Sequence, residues 1–129
     1  MFKIVFILLT LFTSSHASAE WTLLTSDENS DVYYDQKTIK KHQQIAEMYT
    51  LANATNPKVI DLATSLSQVT HTQFDCNKKV YNVLSLTVYA GHMGKGQKVM
   101  GQQYSKKGWK KIAPKSTWSS ALKKACSTK

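Results

Sequence analysis

The sequence contains no arginine, and its 17 strongly basic side chains are all lysines. Proline and glycine are scarce, with 2 and 5 residues, which excludes a fibrous or low-complexity chain. Contents of 42% hydrophobic and 10% aromatic residues are in turn too high for a disordered chain. A length of 129 residues then predicts one small globular domain, with little room for a nucleotide-binding fold of alternating strands and helices.

Residues 1–19 have the pattern of a secretory signal peptide. A short apolar run follows Lys3, and an Ala-x-Ala cleavage site ends at Ala19. A membrane anchor is the alternative, but a run of about nine residues is far shorter than the ~20 that span a bilayer. We therefore expect residues 20–129 to form one exported domain without a transmembrane segment, in the periplasm, on the outer-membrane surface or in the medium.

The sequence has 2 cysteines, Cys76 and Cys126, which lie 50 residues apart. An even count in an exported chain predicts a disulfide, because the compartment outside the cytosol is oxidising. Closing a loop of this length stabilises the fold by about 4 kcal/mol in the chain-entropy description. A catalytic or metal-binding thiol is the alternative, but it needs a neighbouring base or a second ligand, and the flanking residues offer neither.

Several segments have the alternation or the composition of β-strands. Segment 80–89 is apolar on both faces, which predicts a central strand, whereas 65–74 is rich in threonine and serine and is expected at an edge. The glycine-rich segment 91–96 is expected to be a hairpin loop, because it lacks the ending of a phosphate-binding loop. The full set of predicted strands is 21–25, 31–35, 44–52, 65–74, 80–89 and 98–104.

The C-terminal segment has the spacing of an amphipathic helix. Trp118, Ala121 and Ala125 recur at intervals of three and four, after a capping residue at Ser116 or Thr117. The predicted disulfide would attach this helix to the start of the central strand. The sequence therefore predicts an α+β fold, with an antiparallel sheet of about five or six strands and a C-terminal helix tethered by the disulfide.

Short motifs follow one another in a specific order along 20–129. They are Trp21, Tyr33-Tyr34-Asp35 with Thr38-Ile39, Asp75-Cys76 before Lys79 and Leu84-Ser85, Gly94-x-Gly96, Trp109-x-x-Ile112-x-Pro114-x-Ser116, and Ala125-Cys126. In this order they resemble the surface-adhesin protein E-like domain family of Gram-negative bacteria. The resemblance implies an antiparallel sheet with a helix held by the disulfide, and an adhesin that binds host extracellular-matrix and serum proteins. The family's named member is a lipoprotein, whereas no cysteine stands at the cleavage site of this chain.

Charge is strongly segregated along the chain. All 8 acidic residues precede position 76, and every charged side chain of 76–129 is a lysine. Such a surface attracts sulfated glycans, lipopolysaccharide phosphates or acidic segments of host proteins. The alternative is a solvated surface that only keeps the protein soluble. The candidate partner-binding residues are three lysine pairs and one tryptophan, namely Lys78, Lys79, Lys106, Lys107, Trp109, Lys110 and Lys111. The tryptophan is a possible anchor if exposed, although large aromatic residues of small domains more often belong to the core.

The sequence gives little support for a metal site, a catalytic site or a nucleic-acid-binding motif. His42, His71 and His92 lack the close spacing of a metal site, although His92 with Met93 is a pair worth testing. The chain has no Gly-x-Ser-x-Gly elbow and no helix-turn-helix or RNA-binding signature. We therefore expect no enzymatic activity, no cofactor and no sequence-specific binding of nucleic acid.

These features together predict an exported, non-enzymatic binding protein of the bacterial cell envelope. It is expected to be adhesin-like and to bind host matrix or serum proteins, or other polyanions, through its lysine-rich surface. Two alternatives remain open at this point. One is a periplasmic structural or accessory protein without an adhesive role, and the other is a small haem-binding protein or hydrolase whose site is not recognised. The oligomeric state is also open.

Overall fold

A computed structural model describes residues 20–55, 65–106 and 108–127. The segment with the signal-peptide pattern, 1–19, lies outside these ranges. A short 3-10 segment, His92–Gly94, lies between the fifth and sixth strands. The remaining elements are β1 (Thr22–Ser26), β2 (Ser30–His42), β3 (Ile45–Ala54), β4 (Ser67–Asp75), β5 (Val80–Tyr89), β6 (Lys98–Gln103), β7 (Lys110–Lys111) and the helix α1 (Thr117–Ser127).

The strands form one antiparallel sheet in the order β1-β2-β3-β4-β5-β6, and the short β7 pairs with the start of β5. Each strand of the main path is the spatial neighbour of the next strand in sequence, as expected when hairpins connect them. The turns after β2 and β4 therefore lie at one end of the sheet, and those after β1, β3 and β5 lie at the other. This confirms the predicted α+β fold with an antiparallel sheet.

Two sequence expectations about strand position have different outcomes. Strand β5 has the predicted bounds and is paired along both edges, by β4 on one side and by β6 and β7 on the other. The expectation that 65–74 forms an edge strand is wrong, because β4 pairs with both β3 and β5. A high threonine content does not indicate an edge position, because the methyl group of a threonine packs on a sheet much as that of valine does. Thr70 and Thr72 are accordingly buried, at 8% and 0% exposure.

Helix α1 crosses one face of the sheet, which we call the helix face. Ser116 caps the helix, because its Oγ accepts a hydrogen bond from the Ser119 amide at 3.2 Å. The indole ring of Trp118 stacks on Tyr81 with ring centroids 4.1 Å apart. The buried side chains between helix and sheet are Tyr34, Ala46, Met48, Phe74, Ala121, Leu122 and Ala125.

The predicted disulfide is present between Cys76 and Cys126, whose Cα atoms are 5.8 Å apart. Cys76 lies in the turn between β4 and β5, and Cys126 lies in the last turn of α1. The bond therefore attaches the end of the helix to the end of the sheet at which β5 begins. Among the described residues, no helix has the length and apolar character needed to cross a membrane.

Within the described ranges, α1 does not cover the opposite face of the sheet, which we call the open face. There the 3-10 segment folds back over Leu51, which is fully buried. Gly94 has a φ of +70°, and a Cβ atom at this position would lie 3.3 Å from Leu51 Cδ1. Glycine is therefore suited to this position by both its backbone conformation and the close approach.

Candidate polyanion-binding surface

Lysines from four separate segments lie at one end of the sheet, which we call the basic end. It is the end where β2 turns into β3, where β4 turns into β5 and where α1 finishes. All of these lysines are exposed. They are Lys40 and Lys41 of β2, Lys78 and Lys79 of the β4–β5 turn, Lys110 and Lys111 of β7, and Lys123 and Lys124 of α1.

The β4–β5 turn is held by the buried carboxylate of Asp75. Its Oδ1 accepts hydrogen bonds from the amides of Asn77 and Lys78, each at 3.0 Å. The Asp75 carbonyl oxygen accepts a third bond from the Lys79 amide at 2.9 Å. The Asp75 carboxylate is therefore bonded to backbone amides, and the residue is only 7% exposed. Both lysine side chains of the turn, in contrast, are exposed. The turn therefore presents positive charge to solvent.

Strand β7 brings a second lysine pair beside this turn. Lys111 is the pairing partner of Val80, and Lys110 is the partner of Tyr81. The Ile112 amide also donates to the Lys79 carbonyl oxygen at 3.4 Å. Adjacent strands of a sheet lie about 4.8 Å apart. Two lysine pairs that are far apart in sequence are thus neighbours in space.

The last turn of α1 adds a third group of lysines. Lys124 Nζ lies 5.8 Å from the ring centroid of Tyr34, and Lys41 Nζ donates a hydrogen bond to the Cys126 carbonyl oxygen at 3.1 Å. Positive charge near the carbonyl end of a helix is favourable, because the helix dipole is negative there. The helix end and the β2 end are therefore joined into one cationic surface.

Lys106 and Lys110 border a cleft of about 370 Å³ next to this surface. Its walls include the stacked rings of Tyr81 and Trp118 and the exposed ring of Tyr104. The Gly108 amide donates to Asn82 Oδ1 at 2.9 Å, which fixes the segment between β6 and β7 against β5. The cleft combines aromatic surface with ammonium groups, as sites for acidic ligands commonly do.

Acidic residues gather at the far end of the sheet. Asp27 and Glu28 belong to the β1–β2 connection and Asp31 to the start of β2, and both segments lie opposite the basic end. Asp27 Oδ1 accepts hydrogen bonds from the amides of Asn29 and Ser30 at 2.7 and 2.8 Å, and these bonds lower the pKa of Asp27. Three of the acidic residues thus lie at the end of the sheet opposite the basic end.

The predicted partner-binding residues are only partly brought together. Lys78, Lys79, Lys110 and Lys111 are neighbours, and Lys106 lies beside them along β5. Lys107 lies outside the described residues. Trp109 is half-buried and is not part of the cluster between helix and sheet.

Sequence reasoning missed four lysines of the basic end as candidate residues. Lys40 and Lys41 belong to the half of the chain that contains all the acids, and Lys123 and Lys124 belong to the lysine-rich segment 76–129 but are not among the three predicted pairs. The signal that identifies the first pair is strand register. Lys40 pairs with Glu47 and Lys41 with Ala46, which places both beside the β2–β3 turn.

The histidines do not form a shared site. His42 ends β2, His92 opens the 3-10 segment, and His71 stacks on Tyr49 within the sheet. The Nδ1 atom of His92 lies 3.2 Å from Asn53 Oδ1. Within the described part of the chain, no group of three or more His, Cys, Asp or Glu side chains is arranged to hold a metal ion.

Comparisons with known proteins agree with this fold. Similar solved structures include those of Haemophilus influenzae protein E. Crystal form II gives a TM-score of 0.58 at 17% identity, covering 82% of this chain and 86% of that chain. A selenomethionine form has a TM-score of 0.59 at 15% sequence identity, and the match covers 82% of this chain and 84% of that chain. Protein E from non-typeable Haemophilus influenzae has a TM-score of 0.58 at 16% sequence identity, and the match covers 84% of this chain and 76% of that chain.

At such low identity the structural likeness shows a common fold. A comparison with curated protein sequences gives no match. The sequence model of the family described as Surface-adhesin protein E, in contrast, matches residues 21–127, which is nearly the whole of the predicted exported domain. This chain belongs to the surface-adhesin protein E family.

Proposed function

We propose that the protein is an exported, non-enzymatic adhesin of the cell envelope whose basic end binds acidic macromolecules. Membership of a family of surface adhesins supports the adhesive role. The signal-peptide pattern of 1–19 supports export. The observation that carries the proposed surface is the convergence of the β4–β5 turn, with Lys78 and Lys79, and the adjacent strand β7, with Lys110 and Lys111.

The charge of these lysines is available to a partner. The ion pairs among the described residues are Lys37 with Glu20 and His71 with Glu47, and neither involves the lysines of the β4–β5 turn or of β7. Exposed ammonium groups on flexible stems attract a polyanion without fixing its geometry. The expected partners are therefore sulfated glycans, lipopolysaccharide phosphates and acidic segments of host matrix or serum proteins, bound in a salt-sensitive manner.

The first test is retention of the exported protein on immobilised heparin and its binding to matrix proteins. Neutralising the three predicted pairs at 78–79, 106–107 and 110–111 to glutamine should abolish both. Thermal stability should stay unchanged, because exposed substitutions away from special contacts cost little. A variant that elutes at the wild-type salt concentration would show that the basic end only confers solubility.

A matched control separates position from total charge. The first variant removes four charges from the basic end by changing to glutamine Lys78, Lys79, Lys110 and Lys111. The second variant removes four charges from outside the basic end by changing to glutamine Lys37, Lys95, Lys98 and Lys115. The first variant should lose retention and the second should keep most of it. Equal losses would indicate that net charge alone is responsible.

The location of the protein tests the adhesive role itself. Cell fractionation followed by protease treatment of intact cells should find the protein exposed at the surface. A protein confined to the periplasm, with adhesion unaffected by its deletion, would favour a structural or accessory role instead.

A further inference from the structure

A groove of about 740 Å³ lies on the open face, away from the basic end. Trp21 contributes to it from the position before β1, Asp35 from β2 and Tyr49 from β3. Tyr89, Met93 and Lys95 contribute from the end of β5 and the loop that follows. We call this the aromatic groove. The proposed polyanion-binding surface does not use any of its residues.

Asp35 lies between two aromatic residues in the groove. It is the pairing partner of Tyr49 on β3, and its neighbour Tyr34 is the partner of Thr22 on β1. Trp21, directly before Thr22, therefore lies on the other side of Asp35. Cross-strand partners have Cβ atoms about 4.5–5.5 Å apart. The carboxylate is thus flanked by an indole and a phenol within one row across the sheet.

The ring of Tyr49 is held with one face turned toward Asp35. His71 of β4 stacks on Tyr49 with ring centroids 4.2 Å apart and an angle of 4° between the planes. His71 Nε2 in turn lies 3.4 Å from Glu47 Oε2. Because His71 covers the Tyr49 face that is directed at β4, the other face is directed at β2. Tyr49 remains 37% exposed and lines the groove.

The carboxylate of Asp35 is largely buried, and Lys37 is a cation whose charge interacts with it. The residue is 5% exposed, and the hydrogen bond to its carboxylate among the described residues comes from the Lys37 amide to Oδ1, at 3.0 Å. Neither of the ion pairs in the described ranges includes Asp35. Asp75, which is about as buried, has two such amide donors. The Lys37 ammonium makes its close contact with Glu20, at 2.8 Å, so a cationic ligand would give Asp35 a direct ionic partner.

We infer that the aromatic groove binds a quaternary ammonium group, held between Trp21 and Tyr49 above Asp35. Aromatic rings around a cation are the usual recognition device for such groups, and a carboxylate adds charge complementarity. The two flanking rings favour a quaternary group, which needs no hydrogen bond, whereas a primary ammonium group would depend on the Asp35 carboxylate as its acceptor. Thr38 Oγ1 already donates to the Asp35 carbonyl oxygen at 2.7 Å and accepts from the Tyr49 amide at 3.1 Å.

The loop side of the groove is preformed and carries a positive charge. Asn53 Oδ1 accepts from the Met93 amide, and Ser67 Oγ accepts from the Gly94 amide, both at 2.9 Å. These bonds fix the loop that places Lys95 in the groove lining. An anionic group attached to the ammonium compound would therefore find a complementary partner in Lys95. A preformed site also lowers the entropy cost of binding.

Calorimetric titration of the exported protein with choline, phosphocholine and n-butylammonium tests this inference. Choline should bind, and Asp35→Asn and Tyr49→Ala should each weaken its binding about tenfold or more. Asp31→Asn and Tyr104→Ala, which change the same residue types outside the groove, should leave binding unchanged. Circular dichroism melting should show that all four variants are folded.

The three ligands distinguish the possible sources of the cation. Tighter binding of phosphocholine than of choline, lost in Lys95→Gln, would assign the anion contact to Lys95, and equal binding would reject that contact. Binding of n-butylammonium as tight as that of choline would overturn the preference for a quaternary group. No binding of choline at millimolar concentration, or an unchanged affinity in folded Asp35→Asn, would overturn the site. None of these results depends on retention by heparin.

Discussion

The side-chain ammonium of Lys41 donates a hydrogen bond to the carbonyl oxygen of Cys126, 85 residues further along the chain, at 3.1 Å. This contact joins the end of β2 to the last turn of the helix α1. Cys126 also forms the disulfide with Cys76. A covalent bond, a hydrogen bond and a charge interaction with the helix dipole therefore occur together at the basic end. The surface that we propose for binding is therefore also the place where the helix is fixed to the sheet.

Replacing Lys41 by methionine should reduce stability by up to about 1 kcal/mol, because a cation at the carbonyl end of a helix is lost. Lys40→Met is the matched control, since it removes a neighbouring lysine for which no contact to the helix is observed. Chemical denaturation of both variants measures the difference. Equal free energies of unfolding would contradict a specific role for the Lys41 contact.

Changing both Cys76 and Cys126 to alanine should lower the free energy of unfolding by about 4 kcal/mol or somewhat less, because the unfolded chain regains its freedom. Thermal unfolding under oxidising conditions measures this. Reduced wild-type protein should melt close to the double variant. A melting temperature that is unaffected by either treatment would show that the helix is held by its packing alone.

Phe74→Ala should destabilise the protein by about 3–5 kcal/mol, since Phe74 is fully buried between the sheet and Trp118. Val99→Ala on β6 serves as the control, because Val99 is 49% exposed. Its effect should stay within about 0.5 kcal/mol. Denaturant unfolding compares the two, and a small effect at Phe74 would contradict the proposed core.

The pKa of Asp27 should lie below the ordinary aspartate value of 3.8, because the Asn29 and Ser30 amides donate to its carboxylate. A lowered pKa in the folded state stabilises the protein above the unfolded-state pKa. This contribution is lost as the pH falls through the folded-state value. Titration of Asp27 followed by NMR between pH 2 and 6 checks the direction. A midpoint at or above 3.8 would contradict the turn geometry.

Strand bounds, the helix and the disulfide were predictable from the sequence, whereas several cross-strand neighbours were not. The bounds of β5, the cap at Ser116 and the disulfide each follow from residues close together or from the cysteine count. The interior position of β4 did not follow, because its threonines are equally suited to an edge. Lys40 and Lys41 were missed because only the β2–β3 register places them at the basic end.

The aromatic groove illustrates the same limit. Trp21, Asp35 and Tyr49 are each ordinary residues of a strand pattern, and nothing in their spacing links them. Their meeting depends on the pairing of β1, β2 and β3, and the groove also needs the loop after β5 to fold over Leu51. Sequence patterns indicate which face a side chain occupies, but cross-strand register decides its neighbours.

The most direct test of the central claim is the salt dependence of binding to a heparin oligosaccharide of fixed length, measured by calorimetry between about 50 and 200 mM NaCl. The wild-type association constant should fall steeply with salt. The variant with glutamine at Lys78, Lys79, Lys110 and Lys111 should bind weakly with a much flatter slope, while the variant with glutamine at Lys37, Lys95, Lys98 and Lys115 should keep nearly the wild-type slope. Identical slopes for the two variants would contradict the assignment of polyanion binding to the basic end.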